Sequence, residues 1–409
     1  MRTALAFSLF PLRLPDRLPA LARGMASALI AALLCCSVIA PAAAQNTQYI
    51  VTNDDVAPQL PNSMSFYTVG ANGTLTLQQR VVTSGYGIAG GYFGTNRISV
   101  LDSGSTGCIY ASEAATGDIV GIVVSTLTIG GTAVGSPTDT GTSNGIGLVM
   151  NSQYLYAGFT DTSTIGTFQV QPGCTLSFIG DTTVGGLQGG IIEGMAINGT
   201  LLVATYGDGS IESFDISSGM PVSNGDKQNS TAFNSSNGAT YPTDVDITQD
   251  GHFAIFGDTS MSAVVEVSDI ASGHLTTPVA YTSLASINSS NILLSPDETL
   301  LYVVDTQGDQ IGAAFFNKTT GVLTSGCISG QIRGYSQNWS YLSGLAFATT
   351  TGTGGGVYIA EYGAPSSIAM VQVTSGGGKC SLQEAPNSPV ADPNSGGLLS
   401  LGAFPPRPF

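Results

Sequence analysis

The stretch that decides the fold is Asn291-Ile292-Leu293-Leu294-Ser295-Pro296-Asp297-Glu298-Thr299-Leu300-Leu301-Tyr302-Val303-Val304-Asp305. Two short apolar runs flank a Pro-Asp-Glu turn. Each is too short for a stable helix and rich in residues that fit a pleated strand, so the spacing predicts a hairpin. The second run recurs along the chain as Ile50-Val51-Thr52-Asn53, Ser99-Val100-Leu101-Asp102, Tyr156-Ala157-Gly158-Phe159, Leu202-Val203-Ala204-Thr205, Ile255-Phe256-Gly257-Asp258 and Tyr358-Ile359-Ala360-Glu361. The last residues of these runs are 49, 57, 46, 53, 47 and 56 positions apart. A glycine turn follows in step, as at Asn72-Gly73, Thr116-Gly117, Pro172-Gly173, Ser218-Gly219, Ser272-Gly273, Thr320-Gly321 and Gly378-Lys379. Glycine supplies the positive φ of a tight hairpin there. Strand a, turn, strand b, loop, strand c, glycine turn, strand d is the pattern of a propeller blade. The chain therefore reads as all-β, a seven-bladed β-propeller of four-stranded antiparallel blades. Blade one lacks its own strand a, and the segment from Gly396 to Phe404 is expected to supply it and close the ring.

Outward from the repeat, composition sets the class. Of 409 residues, 54 are glycine and only 9 % are charged, against 42 % apolar, which fits neither a disordered chain nor a helix bundle. Residues 1–44 read as a secretory signal peptide: Arg2, Arg13, Arg17 and Arg23, an apolar run from Met25 to Ala40, and Pro41-Ala42-Ala43-Ala44. Cleavage near Ala44 would leave residues 45–409 as a single propeller domain, secreted or periplasmic and without a transmembrane anchor. With 11 basic and 27 acidic residues overall, losing four arginines and Asp16 leaves 7 and 26, a net charge of −19. Phosphate backbones repel such a surface, so no nucleic acid is expected as a partner.

Four cysteines remain beyond the signal: Cys108, Cys174, Cys327 and Cys380. No pair has metal-binding spacing, and four thiols in an oxidising compartment permit three disulfide connectivities. Only neighbouring blades approach closely, so the blade assignment predicts Cys108 with Cys174 and Cys327 with Cys380.

The Ile50-Val51-Thr52-Asn53 and Tyr302-Val303-Val304-Asp305 runs resemble YVTN-type repeats. With Leu293-Leu294-Ser295-Pro296-Asp297 before and Thr319-Thr320-Gly321-Val322-Leu323-Thr324 after it, blade six is similar to those of the seven-bladed lactonase-like propellers, which include 6-phosphogluconolactonase-type enzymes. The resemblance spans roughly residues 48–404. It implies lactone opening by His, Arg and Glu at a channel mouth, on Gly-Pro-Arg-His and Asn-Glu motifs. This chain has Ser289-Ser290-Asn291 where the Arg-His pair belongs, and Thr306 after Asp305. Its two histidines, His252 and His274, fall in hairpin turns.

Carboxylates are the remaining chemistry. Glu193 and Asp244 near the start of strand a in blades four and five, Glu361 ending strand b of blade seven, and Arg333 before blade seven are the candidate catalytic residues. A carboxylate base with an arginine facing an oxyanion would suit lactone hydrolysis. Trp339, beside Tyr335 and Tyr341, is either a sugar-stacking platform or a wedge between blades. An acid also follows strand b in every unit: Asp54 and Asp55, Asp102, Asp161, Asp208, Asp258, Asp305 and Glu361. A ring of these would focus negative potential and attract cations, with Asp102, Asp208, Asp258 and Asp305 as candidate ligands for Ca2+. No other cofactor is indicated. From the residues alone the favoured reading is an exported module that binds a small molecule or protein through an acidic loop face. The alternative, implied by the resemblance, is a lactone hydrolase acting on a sugar lactone; a structural cell-surface component is a third.

Overall fold

The computed structural model describes residues 48–56, 60–88, 96–102, 107–134, 146–230, 242–258, 264–281, 289–305, 310–333, 341–348, 355–362, 366–393, 395–397 and 400–406. The expected signal peptide and Trp339 lie outside them. Seven antiparallel sheets are present, and in six of them the strands run in sequence order, a to d, from inner strand to outer, while blade one takes its inner strand from the C-terminal segment. Blade six runs Ser289–Leu294, Leu300–Asp305, Ile311–Asn317 and Val322–Ile328. Strand d is split in blades four, five and seven, where two short pieces pair with one strand c. Among the described residues, no helix is long and apolar enough to cross a membrane.

The strand-b runs are apolar throughout because both faces of each blade are covered. Leu301 and Val303 pack toward blade five, against Ile255 and Val267. Tyr302 and Val304 point the other way, against Ile359 and Val371 of blade seven. Similar clusters fill the other interfaces, so the core is a ring of sheet-on-sheet contacts. The structure also explains why two sequence markers repeat together. The strand-b tyrosine of one blade reaches the glycine turn of the next: Tyr156 Oη donates to the Gly219 carbonyl at 2.8 Å, and Tyr358 Oη to that of Gly73 at 2.7 Å. Gly73 and Gly219 have φ of 76° and 95°, so the left-handed turn presents its carbonyl to the neighbour.

Ring closure follows the expected route. Leu401–Phe404 pairs antiparallel with Tyr49–Asn53, from Tyr49 opposite Phe404 to Thr52 opposite Leu401. Gly396 N and Ser395 Oγ hold the same junction through the Asp54 carbonyl, at 3.1 and 2.8 Å. Both disulfides join neighbouring blades, Cys108 to Cys174 and Cys327 to Cys380, with Cα atoms 5.5 and 5.7 Å apart. The first needs glycine opposite it: a Cβ on Gly121 or Gly130 would strike the carbonyls of Cys174 or Gly173.

Blade two corrects the repeat phase. Ile98–Asp102, expected as its strand b, is the inner strand a, and strand b is Gly107–Glu113. Thr116-Gly117 closes a tight b–c turn, not the c–d turn of the other units. Asp102 pairs opposite Gly107, at the far end of the blade from the strand-b acids, and Glu113 occupies the position assigned to Asp102.

Candidate functional site

The seven inner strands surround a central cavity of about 380 Å³, with Ile98, Leu148, Met195, Val245, Ile292, Leu345 and Leu401 each contributed by a different blade. Its walls are mainly aliphatic, and Asp244, Asp246, Asn96 and Asn291 are among the polar groups lining it. In blades four to seven the inner strand carries a bulge near its start: between Ile192 and Gly194, Pro242 and Asp244, Ser289 and Asn291, and Ser343 and Leu345. A bulge breaks the alternation and re-aims a side chain that would otherwise enter a blade interface.

Glu193 is the extra residue of the first bulge. Its carboxylate lies over Gly207, where an added Cβ would stand 3.0 Å from Oε1 and 3.7 Å from Ile191 Cγ1. It is half-buried and has no hydrogen bond or ion pair among the described residues. Burial alone raises its pKa to about 7. Gly194 then packs on blade five so closely that a Cβ would meet the Thr243 carbonyl oxygen at 2.7 Å and Asp244 Cα at 3.2 Å. The two candidate carboxylates thus stand on adjacent inner strands. Burial also lifts Asp244 to about 7, against the opposing N–H groups of Ile292 and Val245 at 3.0 and 2.9 Å and aided by the nearby Asp246 charge. Asp246 repeats the arrangement one pleat along, accepting from Leu294 N at 3.0 Å. The carboxylates of blade five therefore supply acceptors to the open edge of blade six.

Above Glu193 the loop 184–191 is clasped by Asp208. Its Oδ2 accepts from Gln188 N at 2.6 Å and Gly190 N at 3.1 Å, and Oδ1 from Ser210 Oγ at 2.5 Å. Partial burial raises its pKa, but these bonds outweigh that and leave it below the usual range. A Cβ on Gly186 would collide with this carboxylate, so the glycines here are steric requirements. The loop leaves Leu187 and Ile191 51 % and 39 % exposed, and Ile191 lies with Glu193 over Gly207.

The other two catalytic candidates belong elsewhere. Arg333 is committed to the outer strand of blade seven: Nε lies 3.2 Å from Glu384 Oε2, Nη1 donates to the Pro386 carbonyl at 3.1 Å, and Nη2 to that of Ala385. Glu361 is buried with one oxygen on Ser367 Oγ and the other unpartnered; burial first and the Glu384 charge second raise its pKa to about 7. Glu193 and Asp244 thus stand on adjacent inner strands, while Arg333 and Glu361 are engaged within blade seven.

The acids after strand b have individual partners. Asp54 accepts from Thr52, Ser63 and Ser65 hydroxyls at 2.5, 2.5 and 2.9 Å and from Arg80 Nε at 3.2 Å. Burial, then the Asp392 charge, raises it to about 6 despite those hydroxyls. Asp55 is paired with Arg97 Nη1 at 2.9 Å, both fully buried between blades one and two. Glu113 accepts from Thr83 Oγ1 and Gly85 N. The side chains of Asp258 and Asp305 lie outside the described residues, and Asp102 faces the opposite end. Among the described residues no three His, Cys, Asp or Glu side chains gather as a metal site requires. His252 is exposed in its turn, with Nδ1 3.2 Å from Asp250, and His274 is also exposed at the start of an outer strand.

The family model for the seven-bladed β-propeller lactonases matches residues 109–388. The chain belongs to that family. Among solved structures, a candidate 6-phosphogluconolactonase from Bacteroides uniformis is 14 % identical, with TM-score 0.59, covering 86 % of this chain and 98 % of its own. The periplasmic gluconolactonase PpgL of Pseudomonas aeruginosa is also 14 % identical, with TM-score 0.53, covering 69 % and 82 %. A protein of unknown function from Desulfotomaculum acetoxidans is 13 % identical, with TM-score 0.58, covering 87 % and 98 %. No curated protein is matched by the chain's sequence. Identities this low establish the shared propeller and leave the chemistry of this lactonase-family member to its own residues.

Two members of the mouth went unread in the sequence. Arg97, the buried cation between blades one and two, was detectable as an arginine standing immediately before an inner strand in a chain with very few basic residues. Glu113 was detectable by aligning Tyr110-Ala111-Ser112-Glu113 with Tyr358-Ile359-Ala360-Glu361.

Proposed function

We propose that this propeller hydrolyses an uncharged lactone at the mouth of its central channel. The observation that carries the reading is Glu193: a half-buried carboxylate at a bulge, without a partner among the described residues, with a pKa of about 7. A base with that pKa is half-ionised at neutral pH and strong enough to draw a proton from water. Its proton acceptance would let the water oxygen add to the lactone carbonyl carbon. The ring C–O bond would then break, and the leaving alkoxide would take a proton to give the hydroxy acid. Asp244, also near 7 and on the adjacent strand, is suited to return that proton. Family membership supports the reaction class. The one buried arginine described at the mouth is consumed by Asp55, which argues against a phosphorylated or carboxylated substrate in so acidic a chain. The two disulfides suit an oxidising compartment, in keeping with export.

A panel of neutral γ- and δ-lactones, assayed with wild type and Glu193→Gln, tests this. We expect turnover that falls at least about 100-fold in the variant with a melting temperature no lower than that of wild type. Binding without turnover of any lactone would favour the second reading, a non-catalytic module. That reading is supported by Asp244 and Asp246, whose oxygens already accept backbone N–H groups of blade six.

A further inference from the structure

We infer that the lactone taken by this site carries an alkyl or acyl chain, not a ring of hydroxyl groups; this rests on the hydrolytic reading above. Beside Glu193 the glycine loop presents two aliphatic side chains. Ile191 and the Glu193 carboxylate both lie over Gly207, and Leu187 projects from the same glycine loop. A loop tip of this kind ordinarily carries polar residues, yet here two large aliphatic side chains are 51 % and 39 % exposed. Hydrogen bonds hold the backbone that presents them. Ser210 Oγ accepts from Leu187 N at 3.1 Å, Asp208 accepts from Gln188 N and Gly190 N, and Gly186 N bonds to the Gly190 carbonyl at 2.9 Å. The lip is therefore a preformed apolar edge.

The cavity continues the same character. Met195, two residues after Glu193, lines it, and Ile98, Leu148, Ile292 and Leu345 complete an aliphatic wall. A polyhydroxylated ring lying against this wall would surrender water that the aliphatic side chains cannot replace, and the lining carboxylates Asp244 and Asp246 already accept backbone N–H groups, which leaves chiefly the lining asparagines to meet its hydroxyls. An alkyl chain loses nothing of that kind and gains by burial. About 380 Å³ falls within the range of small-molecule pockets. Partly ionised at neutral pH, the Glu193 and Asp244 carboxyl groups would repel an anionic head, so an amphiphile with an uncharged one suits the site.

The test pairs two lactones of equal ring size, one bearing an alkyl chain and one hydroxylated, against wild type and a Leu187→Asn/Ile191→Asn double variant. Both positions are exposed, so the variant should fold. We expect wild type to favour the alkyl lactone in kcat/KM by at least about tenfold, and the variant to lose most of that preference while its rate on the hydroxylated lactone stays within about twofold. Equal or better turnover of the hydroxylated lactone by wild type, or an equal loss on both substrates in the variant, overturns the inference and leaves the hydrolytic reading standing. If neither lactone is hydrolysed, the hydrolytic reading falls. Calorimetry with the alkyl-substituted lactam then decides the inference separately: binding weakened by the double variant sustains it, and no binding rejects it.

Discussion

Two carboxyl groups sit in comparable places, on the loop face of their blades, and both are pushed up by burial. Asp54, at the junction where the C-terminal strand closes blade one, reaches about 6; Glu193, at the bulge of blade four's inner strand, reaches about 7. Their surroundings differ completely. Asp54 accepts hydrogen bonds from three hydroxyls and an arginine, and its carbonyl anchors residues 395 and 396. Glu193 meets Gly207 and Ile191 and nothing that donates to it among the described residues. A raised pKa therefore fails to separate structure from chemistry in this ring. Hydrogen-bond satisfaction does: a saturated carboxylate fastens blades, and an unsaturated one is left available to a ligand.

The largest effect is expected at the closure. Truncation after residue 395 removes Leu401–Phe404 and leaves the inner edge of Tyr49–Asn53 unpaired. Circular dichroism and light scattering should show loss of cooperative unfolding and aggregation. A truncated chain that melts as wild type would mean that the closing strand and the Asp54 anchor contribute little.

Next in size is the contrast between the carboxylates themselves. Asp54→Ala removes the acceptor shared by Arg80 and three buried hydroxyls and should cost about 3 kcal/mol in urea unfolding. Glu193→Gln should change stability by no more than about 0.5 kcal/mol, or raise it, because no bond is lost. Equal costs at the two positions would break the comparison.

Most of the ring was legible from sequence because a blade's strand b and its glycine turn are chemically distinctive and bonded to each other, as Tyr358 is to Gly73. Blade two was misphased for a local reason. Its inner strand, Ile98–Asp102, ends in an acid like a strand b, and its Thr116-Gly117 turn imitates the later hairpin. The site was only half legible. Glu193 and Asp244 could be placed near strand starts, but the bulges that aim them depend on pairing with the next strand, which no residue type announces. Arg333 misled because a rare cation near a strand start looks available; the structure uses it to hold the Ala385 and Pro386 carbonyls.

A smaller effect is the pH dependence of stability. Asp54, Glu193, Asp244 and Glu361 all have folded-state pKa values raised above the ordinary carboxyl range, to about 6, 7, 7 and 7. Each binds its proton more tightly folded than unfolded. Their contribution is complete below about pH 4 and is lost as pH rises through about 6 to 7. The melting temperature should therefore fall between pH 4.5 and 7.5. Glu193→Gln should flatten the upper part of that fall and Asp54→Asn the lower part. A melting temperature that rises across this interval would contradict the burial-raised values.

The central claim is that Glu193 serves as the base in lactone opening, and the pH profile of kcat/KM tests it most directly. With a neutral alkyl lactone, wild type should follow a bell-shaped profile centred near pH 7, its acid limb set by Glu193 and its alkaline limb by Asp244, and Glu193→Gln should lose at least about 100-fold and the acid-limb inflection with it. A Glu193→Gln variant that keeps the wild-type rate and the same inflection would contradict the account.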